Sequence, residues 1–148
     1  MSGRDLKDPA WLEFRSVKLG HAFNARHKDC LFCGLPMWFT DFETIPEFLA
    51  RVGGPDLKLT RAQRKNRVAT LDHVIPKSFF ALDHYVNLVV MCYACNQDKG
   101  KLLPDDWIKQ REASGRKIPS RARRKLQKKA ARTLKVRDKI NQRRQRTK

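Results

Sequence analysis

At 148 residues the chain has room for one domain with appendages, not for two full domains. Its formal charge is +18, and residues 116–148 hold sixteen of the 33 lysines and arginines against one acid, Asp138, a net +15 that leaves +3 for the first 115 residues. The longest apolar run, about Leu88 to Met91, excludes a transmembrane span, and the polar start Met1-Ser2-Gly3-Arg4-Asp5 lacks the apolar core of a secretion signal.

The expected setting is therefore the cytoplasm, where thiols stay reduced, and the expected partner of the basic arm is a nucleic acid. A ribosome-like or membrane-surface extension, or a solubilising tail, is the blander reading. An anionic bilayer would ordinarily be met with bulky apolar anchors as well.

Along the chain, residues 1–29 form a leader with aromatic anchors Trp11, Phe14 and Phe23 and a short helix within Pro9 to Ala25. Cys30-Leu31-Phe32-Cys33-Gly34 is a tight knuckle whose glycine permits a positive φ. Ile45, Phe48, Leu49 and Val52 recur at helical spacing in Asp41 to Arg51, and Gly53-Gly54-Pro55 ends that helix. Leu57 to Arg67 reads as a basic connector. Val68 to Ile75, β-branched and closed by Pro76, reads as a strand, and Asn87 to Met91 as a second. A helix starts near Cys92 or Tyr93 and breaks at Lys101 to Pro104. Another opens with Pro104 and its acids Asp105 and Asp106, and runs to Gly115. The arm beyond has a thin apolar line of Leu126, Ala130, Leu134 and Ile140, so disorder or partial helicity that orders on a polyanion is expected. The resulting organisation is a leader (1–29), a central domain (30–115) and a basic tail (116–148).

Cys30, Cys33, Cys92 and Cys95 form two Cys-x-x-Cys pairs. Each pair can present both sulfurs to one ion from a single turn, and two pairs close a tetrahedral four-cysteine zinc site. Four thiolates leave no open position, so the zinc is expected to be structural. A redox-active pair is the rival reading. His27, near Cys30, could replace a thiol but is not needed; His21 and His84 read as surface residues.

Asp72-His73-x-x-Pro76-x-Ser78, Asn87-Leu88 and Cys92-x-x-Cys95-Asn96-x-x-Lys99-Gly100 together resemble the HNH endonuclease motif of the ββα-metal (His-Me finger) superfamily over about residues 30–101. The resemblance implies an α+β fold, a small ββα core beside the four-cysteine zinc site, and DNA hydrolysis to 5′-phosphate and 3′-hydroxyl ends. It implies His73 as general base, Asp72 and Asn96 as ligands of a catalytic divalent ion, and Asn87 as a brace for the loop that carries His73. The third motif position departs from the namesake histidine, since Asn96 stands there. Phages, mobile elements and restriction systems are the settings such free-standing enzymes imply.

The chemistry of the residues reaches similar roles. Phosphodiester hydrolysis needs a base active near neutral pH, which imidazole provides, and a cation to offset charge at the leaving oxygen. The oxygens of Asp72 and Asn96 suit Mg²⁺ or Mn²⁺. Adjacent strand residues point to opposite faces, so Asp72 and His73 share a site only where the strand ends or bends. Lys99 shares a helix face with Asn96 and is expected at a backbone phosphate. Arg61, Arg64, Lys65 and Arg67 in the connector, and Arg121, Arg123 and Arg124 in the tail, are expected to grip phosphates without reading sequence. Two other readings remain open at this point: a non-catalytic zinc-containing nucleic-acid-binding module, and an RNase on the same scaffold. Target sequence, oligomeric state and nicking against double-strand cleavage are not legible.

Overall fold

The computed structural model describes residues 9–26, 28–54, 56–79 and 85–147. His27 and His84 lie outside the described residues, as does the side chain of Trp11. The elements in chain order are α1 (Pro9–Asn24), α2 (Ile45–Val52), α3 (Arg61–Asn66), β1 (Ala69–His73), β2 (Leu88–Cys92), α4 (Tyr93–Lys99), α5 (Pro104–Ala113) and α6 (Ser120–Arg146). β1 and β2 pair into a two-stranded sheet, and β1, β2 and α4 follow one another in the order of a ββα unit. The fold class is thus α+β, as expected. Among the described residues no helix is long and apolar enough to cross a membrane.

The chain divides into two compact units. The first comprises Met1–Cys30, Gly34–Leu71 and Val90–Ala94. Its packing is aromatic: the half-buried Phe23 of α1 tilts against the buried Phe39 and stacks on the exposed Phe42, both at 5.5 Å between ring centres, and Phe48 of α2 is fully buried. α2 begins at Thr44 rather than Asp41 because Thr44 and Glu47 form a capping box: Glu47 N–H donates to the threonine hydroxyl at 3.3 Å, and Thr44 N–H to the Glu47 carboxylate at 2.6 Å. The same device, Thr60 with Gln63, starts a helix inside the stretch read as a connector. Trp38 lies beside the start of β1, donating from its backbone N–H to Arg67 O at 2.7 Å and accepting at its carbonyl from Ala69 N–H at 2.8 Å. Glu43, almost fully buried, accepts from Phe39 N–H and pairs with Arg51 at 2.7 Å, which satisfies a carboxylate that would be costly to bury alone.

The second unit comprises Leu31–Cys33, Asp72–Val89 and Cys95–Lys148. Trp107 of α5 is completely buried and tilts against Phe32 at 5.4 Å. Its indole N–H donates to Asp98 at 2.8 Å, and Asp98 also pairs with Arg111 and Arg116, each at 3.3 Å. Burial alone would raise the Asp98 pKa, but the indole N–H and the Arg116 and Arg111 charges together hold it below its ordinary value.

The arm departs most from expectation. Rather than disordered, it is one helix of 27 residues, α6, with Ala122, Leu126 and Thr133 buried against the body and Ile118 buried just before it. Two of these are not bulky apolar residues, so the docking face is nearly invisible to a hydropathy reading.

Candidate active site

Asp72 and His73 are the last two residues of β1, so the pair stands where the strand ends. The backbone beyond them is held by Asn87, which is fully buried. Its Oδ1 accepts from Ile75 N–H at 2.8 Å, its Nδ2 donates to Ile75 O at 3.0 Å, and its own carbonyl accepts from Val74 N–H at 2.7 Å. One asparagine thus replaces a strand partner for the two residues that follow His73. Only an amide offers a donor and an acceptor side by side in this way.

Lys99, at the end of α4, completes the frame from the other side. It is expected at a phosphate, yet its side chain has no exposure: Nζ donates to His73 O at 2.9 Å and faces Asp72 Oδ2 at 3.0 Å. Helical spacing from Asn96 sets the face of α4 it occupies, but that face turns inward to β1. The contact with Asp72 is an ion pair in which the carboxylate oxygen facing the ammonium, Oδ2, is itself buried. Burial raises the Asp72 pKa above its ordinary value, against the opposing pull of the Lys99 charge and the His73 backbone N–H. The Asp72 carboxylate, which keeps 15% side-chain exposure, is a hard oxygen donor of the kind that suits a divalent cation, and the partly exposed Asn96 adds a neutral oxygen three residues before Lys99.

Helix α6 also reaches this region, which sequence reasoning did not anticipate. Lys129 Nζ donates to Leu88 O at 2.9 Å, and the Thr133 hydroxyl lies 3.3 Å from Val86 O while donating to Lys129 O at 2.9 Å. The two carbonyls flank Asn87. A nearby cavity of about 510 Å³, between the first turn of α5 and α6, is lined by Ile75, Pro104 and Leu134 among others. Asp72, His73, Asn87 and Asn96 are not among the residues that line it.

The four cysteines come together. Their sulfurs all lie within 4.8 Å of one another, which accommodates a tetrahedron with metal–sulfur bonds of about 2.3 Å and edges of about 3.8 Å. Cys92 N–H points at Cys30 Sγ at 3.5 Å, the kind of donor that steadies a thiolate ligand. Gly34 adopts φ +78° directly after the first pair, as its place in the knuckle requires.

The remaining cations are placed as follows. Arg61 is exposed; Arg64 donates to Leu59 O at 2.6 Å; Lys65 sits 5.1 Å above the Tyr93 ring; and Arg67 is partly buried. Arg121 and Arg124 are exposed on α6, whereas Arg123 pairs with Glu112 at 3.0 Å.

Residues 57–105 match the family model described as HNH endonuclease, a span that contains β1, β2, α4 and all four residues of the constellation. The match supports the HNH family and a nuclease hydrolase as the class of protein. No curated protein matches the chain.

Proposed function

We propose that this protein is a metal-dependent HNH-type endonuclease that hydrolyses DNA phosphodiester bonds. The observation that carries the reading is the double restraint on His73: Lys99 holds its carbonyl, and Asn87 holds both polar groups of Ile75 two residues on. Such restraint fixes the backbone that carries the imidazole, which would accept a proton from an attacking water, a role suited to the near-neutral pKa of free imidazole. Asp72 and Asn96 would hold Mg²⁺ or Mn²⁺, which when bound supplies positive charge to the leaving oxygen. The buried Lys99 ammonium keeps Asp72 oriented, and Asn87 acts through the backbone alone. Cys30, Cys33, Cys92 and Cys95 would hold a structural zinc.

One observation favours the second reading, a zinc-containing nucleic-acid-binding module without catalysis. Asp72 already faces a cation, so a metal must share its carboxylate with Lys99. Incubation of supercoiled plasmid with the protein in Mg²⁺, Mn²⁺ or EDTA, beside His73→Ala, decides between them. Metal-dependent nicking that disappears in the variant supports the nuclease; plasmid shifting without cleavage in every metal supports the binding module. An RNA substrate in the same assay tests the RNase reading.

A further inference from the structure

The docked face of α6 leaves most of the helix surface to solvent, and charge is distributed over it unevenly. Arg121, Arg124, Lys128, Arg132, Lys135 and Lys139 follow one another at intervals of three or four residues, close to the 3.6-residue turn. Arg143 and Arg146 carry the same spacing into the last turn, and Lys125 lies beside it. At about 100° per residue these side chains fall within one sector of the helix, away from the face of Ala122, Leu126 and Thr133. All of them are exposed, and among the described residues none pairs with an acid. The ion pairs of α6 belong to other faces: Arg123 with Glu112, and Arg137 with Asp138.

We infer that this stripe is a preformed docking surface for the phosphate backbone of duplex nucleic acid. From Arg121 to Arg146 it is about 38 Å long at 1.5 Å per residue, the length of about eleven base pairs at 3.4 Å, one turn of duplex. A rigid row of point charges suits an equally stiff polyanion. A single strand would have to be straightened along it at an entropic cost. Single-strand binders offset that cost with aromatic stacking platforms, and α6 contains no aromatic residue. Nor does it offer the broad apolar face with which a helix enters a bilayer, since Ala122 and Leu126 are buried and Leu134 is the one large apolar side chain of the helix that is exposed among the described residues. The stripe lies outside the residues that match the nuclease family, and it contributes affinity rather than chemistry.

The inference names the physical form of the substrate for the nuclease reading, but its test does not depend on cleavage. Full-length protein is titrated in EDTA with a fluorescent 20-base-pair duplex and with either of its single strands, over a range of salt concentrations. The triple variant Arg124→Gln, Lys128→Gln, Arg132→Gln is compared with the off-stripe variant Arg137→Gln, Arg144→Gln, and circular dichroism confirms that both are folded. The duplex should bind more tightly than either strand. The stripe variant should lose roughly a hundredfold in duplex affinity near 0.1 M salt, with the slope of log K against log salt shallower by about 2.7, or 0.9 per charge removed. The off-stripe variant should stay within a few-fold of wild type. Equal affinity for single strands, an unaffected stripe variant, or an equal loss in both variants each overturns the inference. If duplex binding behaves as expected while plasmid is never cut, the docking surface stands and the catalytic reading fails.

Discussion

At the scale of the residue, the candidate site depends on two side chains whose work is done on the backbone. Asn87→Ala would leave Ile75 N–H and C=O without their partner amide in a buried setting. At about 1–3 kcal/mol for each orphaned group, a loss of roughly 3 kcal/mol is expected, read from the urea midpoint, together with loss of cleavage. Asn87→Asp is the sharper probe, because it keeps the acceptor for Ile75 N–H and sets a second oxygen against Ile75 O. It should be destabilising despite its matching shape, and wild-type stability would show that the clamp contributes little. Lys99→Met removes the ammonium that holds Asp72 and His73 O while keeping most of the apolar stem. Breaking a buried pair from one side costs about 3–5 kcal/mol when the remaining charge stays dry. Asp72 retains 15% side-chain exposure, so a cost nearer to about 2 kcal/mol is expected. Nicking should fall with it even at protein concentrations where the fold is intact.

At the scale of the element, the strands, α4 and α5 could be read from residues because each carries its own signal: β-branched runs closed by Pro76, paired cysteines, and Pro104 followed by two acids. The start of α2 and the existence of α3 rest on Thr44 with Glu47 and Thr60 with Gln63, local capping pairs that start a helix even in the dense run of cations from Arg61 to Arg67. Lys99 and α6 were not legible in the same way. Nothing in a sequence says that a lysine on a polar helix face turns inward to a carbonyl, or that Ala122 and Thr133 are core residues. Beside its apolar contacts, α6 makes polar ones to Val86 O and Leu88 O. Thr133→Val, which keeps the shape and removes the hydroxyl, should cost about 1 kcal/mol and Lys129→Met a comparable amount, additive only if the two contacts are independent. The cysteine knuckle is testable at the same scale. The protein should carry one zinc by elemental analysis, and Cys30→Ser should abolish it with cooperative unfolding, since ligand binding and folding are one equilibrium at such sites. A folded, zinc-free variant would remove the structural role.

At the scale of the whole molecule, the +15 carried by residues 116–148 makes the arm look like an appendage, yet the same residues supply Ile118, Ala122 and Leu126 to a buried core. A tether and a structural helix make opposite predictions for removal. If the arm were only an electrostatic tether, deleting residues 116–148 would weaken binding, flatten its salt dependence and leave cleavage at low salt. With α6 docked beside the loop of Asn87, deletion exposes the apolar surface that those three residues cover and frees the carbonyls of Val86 and Leu88. Burying one such side chain is worth roughly 1.5–3 kcal/mol, and marginal stability leaves little to spare against several of them. The truncated chain should therefore lose its cooperative thermal transition and show no cleavage at any salt concentration. The triple stripe variant, by contrast, should keep its transition and its low-salt cleavage while losing duplex affinity. That contrast separates the two jobs of one helix: its inner face belongs to the fold, and its outer face to the polyanion.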